Sequence, residues 1–183
     1  MARLMLDNNC FAYNNRYYKQ TRGGAIGLAF TQVLANIYMY EWEQDFIKHQ
    51  EKHKGIYGRY IDVIFMNTNK TTNEIKEELQ LAAEKDINIK IHYEIHTTVN
   101  FLETTITNDH DQLKTSLYHK PTAEPYILPY TSDHPRHIYH NIPYAALLCA
   151  ARICSDAHDF NRECIRIDIS LLLNNYPSNF IAK

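Results

Sequence analysis

The sequence predicts an α+β fold, in which a small antiparallel sheet is backed by helices and followed by a helical segment. Three observations lead there. Phe30, Val33, Leu34, Ile37 and Tyr38 recur at helical spacing, whereas Tyr60 to Met66 is a short β-prone run interrupted only by Asp62. Four prolines, Pro121, Pro125, Pro129 and Pro135, then crowd into fifteen residues, and helical spacing returns after Pro143.

The elements follow in order. Phe11 to Tyr18 is an aromatic stretch suited to a short strand or hairpin. Gly23, Gly24 and Gly27 form a flexible loop, and a helix runs from Thr31 to about His49, with Trp42 and Phe46 extending its apolar face. Gly55 and Gly58 bracket a break before the strand–turn–strand at 60–66. Thr71 and Glu74 form a capping-box pattern, and the helix they start reaches about Lys85 with Ile75, Leu79 and Ala82 inward. Ile89, Ile91, Tyr93 and Ile95 alternate with polar residues as a half-buried strand does. Val99 to Thr107 and Leu113 to Tyr118 flank the turn residues Asn108 to Asp111. The prolines make an extended connector. Helices to about Cys154, and from Ser155 or Asp156 to Leu173, complete the chain, stopped by Asn174, Asn175 and Pro177.

Composition narrows the setting. The 183 residues, 45% hydrophobic and 22% charged, suit one globular domain or a compact pair of subdomains. No apolar run reaches the ~18 residues of a membrane span, and the N-terminus lacks signal-peptide architecture. The expected location is nuclear or cytoplasmic, not secreted, with no membrane partner. A net charge of −2 withholds the basic balance usual in nucleic-acid binders, although a local patch would suffice. Cys10, Cys149, Cys154 and Cys164 contain no C-x-x-C pair and read as buried free thiols. The fourteen tyrosines suit core and sheet positions, and tyrosine is also a residue on which single-stranded bases stack. His134, His137 and His140 have metal-like spacing, but Pro135 argues for an extended segment.

The chemistry centres on Tyr60-Ile61-Asp62-Val63. A carboxylate inside an apolar run is costly unless it sits at a turn or meets a cation. Asp62 is thus either a plain hairpin aspartate or a metal ligand. Polymerases join nucleotides with two metal ions held by carboxylates, so a tight hairpin presenting acids would serve.

Gln20, Gly23, Ala25, Ile26, Gly27, Ala35 and Asn36, with Glu43 in the following helix, together with the 60–63 turn, resemble the reverse transcriptases of Penelope-like retroelements. Asn100 to Glu103, Thr115 to Thr122, Ser132 to Pro135, Arg152 to Ser155 and Tyr176-Pro177 extend the resemblance. It implies a partial reverse transcriptase palm over 1–118, a Pro-rich connector over 119–140 and a helical thumb-like segment over 141–183, with the fingers absent. It also implies a loop of Gln20, Arg22, Gly23, Gly24, Ala25 and Gly27 against template and nucleotide, a hairpin of Tyr60 and Val63 around a catalytic, metal-binding Asp62, and a primer-grip-like strand at Phe101, Leu102 and Glu103. Magnesium or manganese, an RNA template and a DNA primer would be the cofactor and partners.

Two departures weigh against activity. The Y-x-D-D pattern has Val63 in place of its second acid, and Asp7 has no context matching the family's first catalytic strand. The expectation is a truncated RNA-directed DNA polymerase, inactive as this chain alone. The alternative is a non-catalytic remnant that binds nucleic acid or protein through its C-terminal helices, where Arg152, Arg162 and Arg166 either meet a backbone or form a solvated face.

Overall fold

The computed structural model describes residue 3 and residues 8–21, 23–25, 27–122 and 127–181. Met1, Asp7, Arg22, Ile26 and Pro125 lie outside the described residues. The chain divides into two units, Met1–Asn69 and Lys70–Lys183.

In the first unit, β1 (Cys10–Tyr13) and β2 (Arg16–Lys19) pair antiparallel, with Phe11 opposite Tyr18. Asn14 and Asn15 hold the turn at φ 49° and 57°, the left-handed region that asparagine tolerates. Helix α1 (Ala29–His53) follows, and its last turn carries Lys52 and His53, the charge sign that suits a helix C-terminus. Beyond it the backbone at Gly55 lies so close to Gln50 that a Cβ there would sit 1.8 Å from the Gln50 amide oxygen. Strands β3 (Tyr57–Tyr60) and β4 (Val63–Met66) then form a second hairpin, with Tyr60 opposite Val63.

The helix is longer than its sequence pattern, and only part of its apolar face is buried: Trp42 is, with Phe46 half-buried against it. Val33, Leu34, Ile37 and Tyr38 are exposed, whereas Trp42, Glu43 and Gln50 are buried. Periodicity says which residues share a face. It does not say that anything covers that face.

In the second unit, α2 (Thr72–Lys85) starts at the expected capping box, with the Glu74 N–H donating to Thr71 Oγ1 and the Thr71 N–H to the Glu74 carboxylate. Ile75 and Leu79 form its buried side. Strands β5 (Thr98–Phe101), β6 (Thr104–Asp109) and β7 (Gln112–Leu117) make an antiparallel meander. Helices α3 (Arg136–Ile153), α4 (Ala157–Leu173) and the short α5 (Ser178–Ile181) complete the unit. Its core gathers Tyr139, Ala150, Ile167, Leu171 and Tyr176, with Leu117 of β7 packed against it.

Four expectations need correction. The described residues form three small sheets, not one. The segment from Ile89 to Ile95 joins no ladder, because alternation supplies a strand's faces but not a partner. Val99 to Thr107 is not continuous: Leu102 adopts φ 56° and the chain turns back at Leu102-Glu103, so of the expected primer-grip strand at Phe101, Leu102 and Glu103 only Phe101 is strand, and the other two form a hairpin turn. Helix α3 begins at Arg136, inside the expected connector. It runs through Pro143, which is buried and lacks the N–H that would reach the Tyr139 carbonyl.

Candidate functional site

The hairpin tip of the first unit places Asp62 on an exposed two-residue turn with Ile61. Tyr60 and Val63 flank it and are also exposed. Among the described residues, no group of three or more His, Cys, Asp or Glu side chains is placed to hold a metal ion. Beside the tip, a groove of about 600 Å³ runs between α1 and β3, lined by Asn36, Ile37, Tyr40, Arg59 and Tyr60, but not by Asp62. In the glycine loop, the Gln20 N–H donates to the Asn9 carbonyl at 2.9 Å, and the Leu28 N–H to that of Ala25 at 3.3 Å. Gly23 and Gly27 have φ of 70° and 90°, and a Cβ at Gly24 would sit 2.3 Å from Thr31 Oγ1.

The strongest polar constellation in this unit was not legible as a site. Glu43, 3% exposed, accepts from Arg59 Nε at 2.7 Å and from the Tyr57 hydroxyl at 2.8 Å. Arg59 also donates to Asn36 Oδ1 at 3.0 Å and to the Ile61 carbonyl at 2.9 Å. Burial, and then the Glu43 carboxylate, hold the Tyr57 phenol far above its ordinary range. These contacts fasten the β3–β4 hairpin to α1.

In the second unit, α3 and α4 are joined by Cys154, Ser155 and Asp156 alone. Asp156 caps α4, its carboxylate accepting from the His158 N–H at 2.5 Å. Strand β7 grips the turn. The Ser155 N–H donates to the Thr115 carbonyl, and Thr115 Oγ1 donates to the Ile153 carbonyl at 2.5 Å. Further along, His119 Nε2 lies 2.9 Å from the Glu163 carboxylate.

Helix α4 buries Ile167, Ser170 and Leu171. Its opposite side exposes His158, Asn161, Arg162 and Arg166, spread over about 12 Å of helix at 1.5 Å per residue. Arg162 lies 3.2 Å from His158 Nδ1 and 3.5 Å from the Asp159 carboxylate, yet remains 70% exposed. Farther along the same side, Ile165, Ile169 and Leu172 are also exposed. By charge the sequence marks Arg152, Arg162 and Arg166. His158 lies one turn before Arg162 and Asn161 beside it, a grouping that charge does not mark and that the buried side of α4 defines.

The thiols divide by position. Cys10 is exposed, against expectation, while Cys149, Cys154 and Cys164 are half-buried. Burial, followed by the Glu103 carboxylate for Cys149 and the Asp168 carboxylate for Cys164, pushes both thiols up.

Residues 126–183 match the family described as the animal helix-turn-helix domain. No curated protein and no solved structure matches the chain. The match overturns the reverse-transcriptase resemblance: the segment expected to be a thumb, 141–183, falls inside a helix-turn-helix match, and no reverse transcriptase family matches any part of the chain. The reading as a truncated RNA-directed DNA polymerase therefore does not hold. The roles lent to Gln20, Arg22, Gly23, Gly24, Ala25, Gly27, Tyr60, Asp62 and Val63, and the expectation of magnesium, RNA template and DNA primer, rested on that resemblance. Among the described residues no helix is long and apolar enough to cross a membrane.

Proposed function

We propose that α3 and α4 form a nucleic-acid-binding helix-turn-helix, with duplex DNA as the ligand and the first half of α4 as the reading surface. The match of 126–183 to the animal helix-turn-helix domain carries this reading. In helix-turn-helix proteins the second helix lies in the major groove and its N-terminal residues meet base edges. Here those positions expose His158, Asn161 and Arg162, with Arg166 one turn on. Asparagine can pair two-fold with adenine and arginine with guanine or phosphate. The β7 clamp on Ser155 supports the reading too, because a docking helix must be held at a fixed angle. Such a role would require a nuclear location.

Charge limits the affinity. Residues 126–183 carry five Lys and Arg against five Asp and Glu. Only Arg152, Arg162 and Arg166 are arginines on or next to α4, so about three phosphate contacts and a logarithmic salt slope near −2.7 are expected. Fluorescence anisotropy of the full chain with a labelled duplex and the matching single strand, across a salt series, tests this. Duplex binding with a slope of about −3 agrees. No duplex binding at the lowest salt refutes the reading.

A second reading, docking of a protein through α4, is favoured by one observation. Ile165, Ile169 and Leu172 repeat at spacings of four and three residues and are 61%, 51% and 56% exposed. Absence of duplex binding, combined with salt-insensitive capture of a protein that Ile169→Asp abolishes, would select it.

A further inference from the structure

We propose that residues 89–95 form the interface of a homodimer, pairing antiparallel with the same residues of a second copy. The segment reads Ile-Lys-Ile-His-Tyr-Glu-Ile. It has the alternating sequence of a strand but no strand partner among the described residues. Ile89, Ile91 and Ile95 are half-buried while Lys90, His92 and Glu94 are exposed, and Tyr93, on the isoleucine face by alternation, is itself 49% exposed. No residue in it has positive φ. Among the described residues it joins no sheet, and only the Ile89 N–H has a backbone partner, the Asp86 carbonyl at 3.2 Å. It contains no proline or glycine, so nothing in it blocks ladder formation. A row of unpaired backbone N–H and C=O groups in this state is a template for another strand.

The segment's own charge pattern identifies the occupant. When it is laid antiparallel on itself with His92 opposite His92 of the second copy, Lys90 faces Glu94 and Glu94 faces Lys90. On the other face Ile89 meets Ile95 and Ile91 meets Tyr93. Every directly opposed pair is then apolar with apolar, opposite in charge, or histidine with itself at the dyad. Sliding the strands by two residues in either direction keeps the faces but separates Lys90 from Glu94. A self-complementary strand of this kind makes an isologous two-fold contact, the closed arrangement most homodimers use. This inference does not depend on the nucleic-acid reading.

Sedimentation velocity of the full chain over a concentration series tests it, with Lys90→Glu, Glu94→Lys, the double charge swap, and an equimolar mixture of the two single variants. The wild type is expected to be a concentration-dependent dimer. Each single variant opposes like charges at two places and should weaken dimerisation by about tenfold or more. The double swap and the mixture should both restore it. Recovery in the mixture also shows that the single variants are folded. A wild type that stays monomeric throughout, single variants within about twofold of wild type, or a mixture that fails to recover would each overturn the proposal.

Discussion

Thr115 and Ser155 are joined in both directions: the Thr115 N–H donates to Ser155 Oγ at 2.9 Å, and the Ser155 N–H donates to the Thr115 carbonyl at 2.9 Å. A third bond runs from Thr115 Oγ1 to the Ile153 carbonyl at the end of α3. The turn between α3 and α4 is therefore fixed by a strand, not by the helices alone. Thr115→Val keeps the side-chain shape and removes the hydroxyl, leaving the Ile153 carbonyl without that donor. Denaturant unfolding should show a loss of about 1 kcal/mol, and duplex affinity should fall as α4 loses its fixed orientation. An unchanged midpoint would show that the Thr115 hydroxyl bond to Ile153 is not stabilising.

The Glu43–Arg59 pair plays the matching part in the first unit. Its side chains are 4% and 14% exposed, so neither charge is well solvated. Removing one partner of a buried pair leaves the other uncompensated, and Arg59→Met should cost about 3 kcal/mol. A loss below about 1 kcal/mol would place the pair among surface ion pairs. The readout is the unfolding transition of the full chain, followed by the fluorescence of Trp42, the one tryptophan, which is buried on the same helix.

Tyr57 gives that unit a pH signature. Burial and the Glu43 carboxylate raise its folded pKa above the ordinary 10.0. The phenol thus ionises more readily in the unfolded chain than in the folded one. Its contribution to stability is whole below the unfolded value and is lost as pH rises toward the folded value. The stability difference between wild type and Tyr57→Phe should therefore shrink above about pH 10. A difference that stays constant between about pH 8 and pH 11 would contradict the burial of this hydroxyl.

Ile61 adopts φ 55° at the β3–β4 turn, a conformation that a β-branched side chain disfavours. Ile61→Gly should relieve about 1 kcal/mol of that strain, less the added chain entropy of glycine in the unfolded state. The net result should be neutral to slightly stabilising in thermal unfolding. A clear destabilisation would mean that the exposed Ile61 side chain makes contacts that outweigh the strain.

Much of this architecture could be read from local chemistry. Asn14-Asn15 and His110-Asp111 announce their turns by residue type, and Thr71 with Glu74 announces the start of α2. The turn at Leu102-Glu103 could not be read, because leucine at positive φ has no sequence signature and both flanks are β-prone. Pro143 concealed the true start of α3, since tertiary packing of a buried proline overrides its reputation as a helix breaker. Arg162 and Arg166 stood out by charge. His158 and Asn161 join them only when Ile167 and Leu171 are known to fill the core, which defines the opposite face. The resemblance to a polymerase misled because each of its motifs is short, and Asp62 at an exposed turn fits an ordinary hairpin equally well.

The first half of α4 is the proposed nucleic-acid surface. Duplex binding by Arg162→Ala, compared with wild type at low salt, tests it most directly, because Arg162 is exposed and its loss should leave the thermal melt unchanged. Affinity should fall about tenfold, and the logarithmic salt slope should become shallower by about one. Wild-type affinity in a variant that melts normally would contradict the claim.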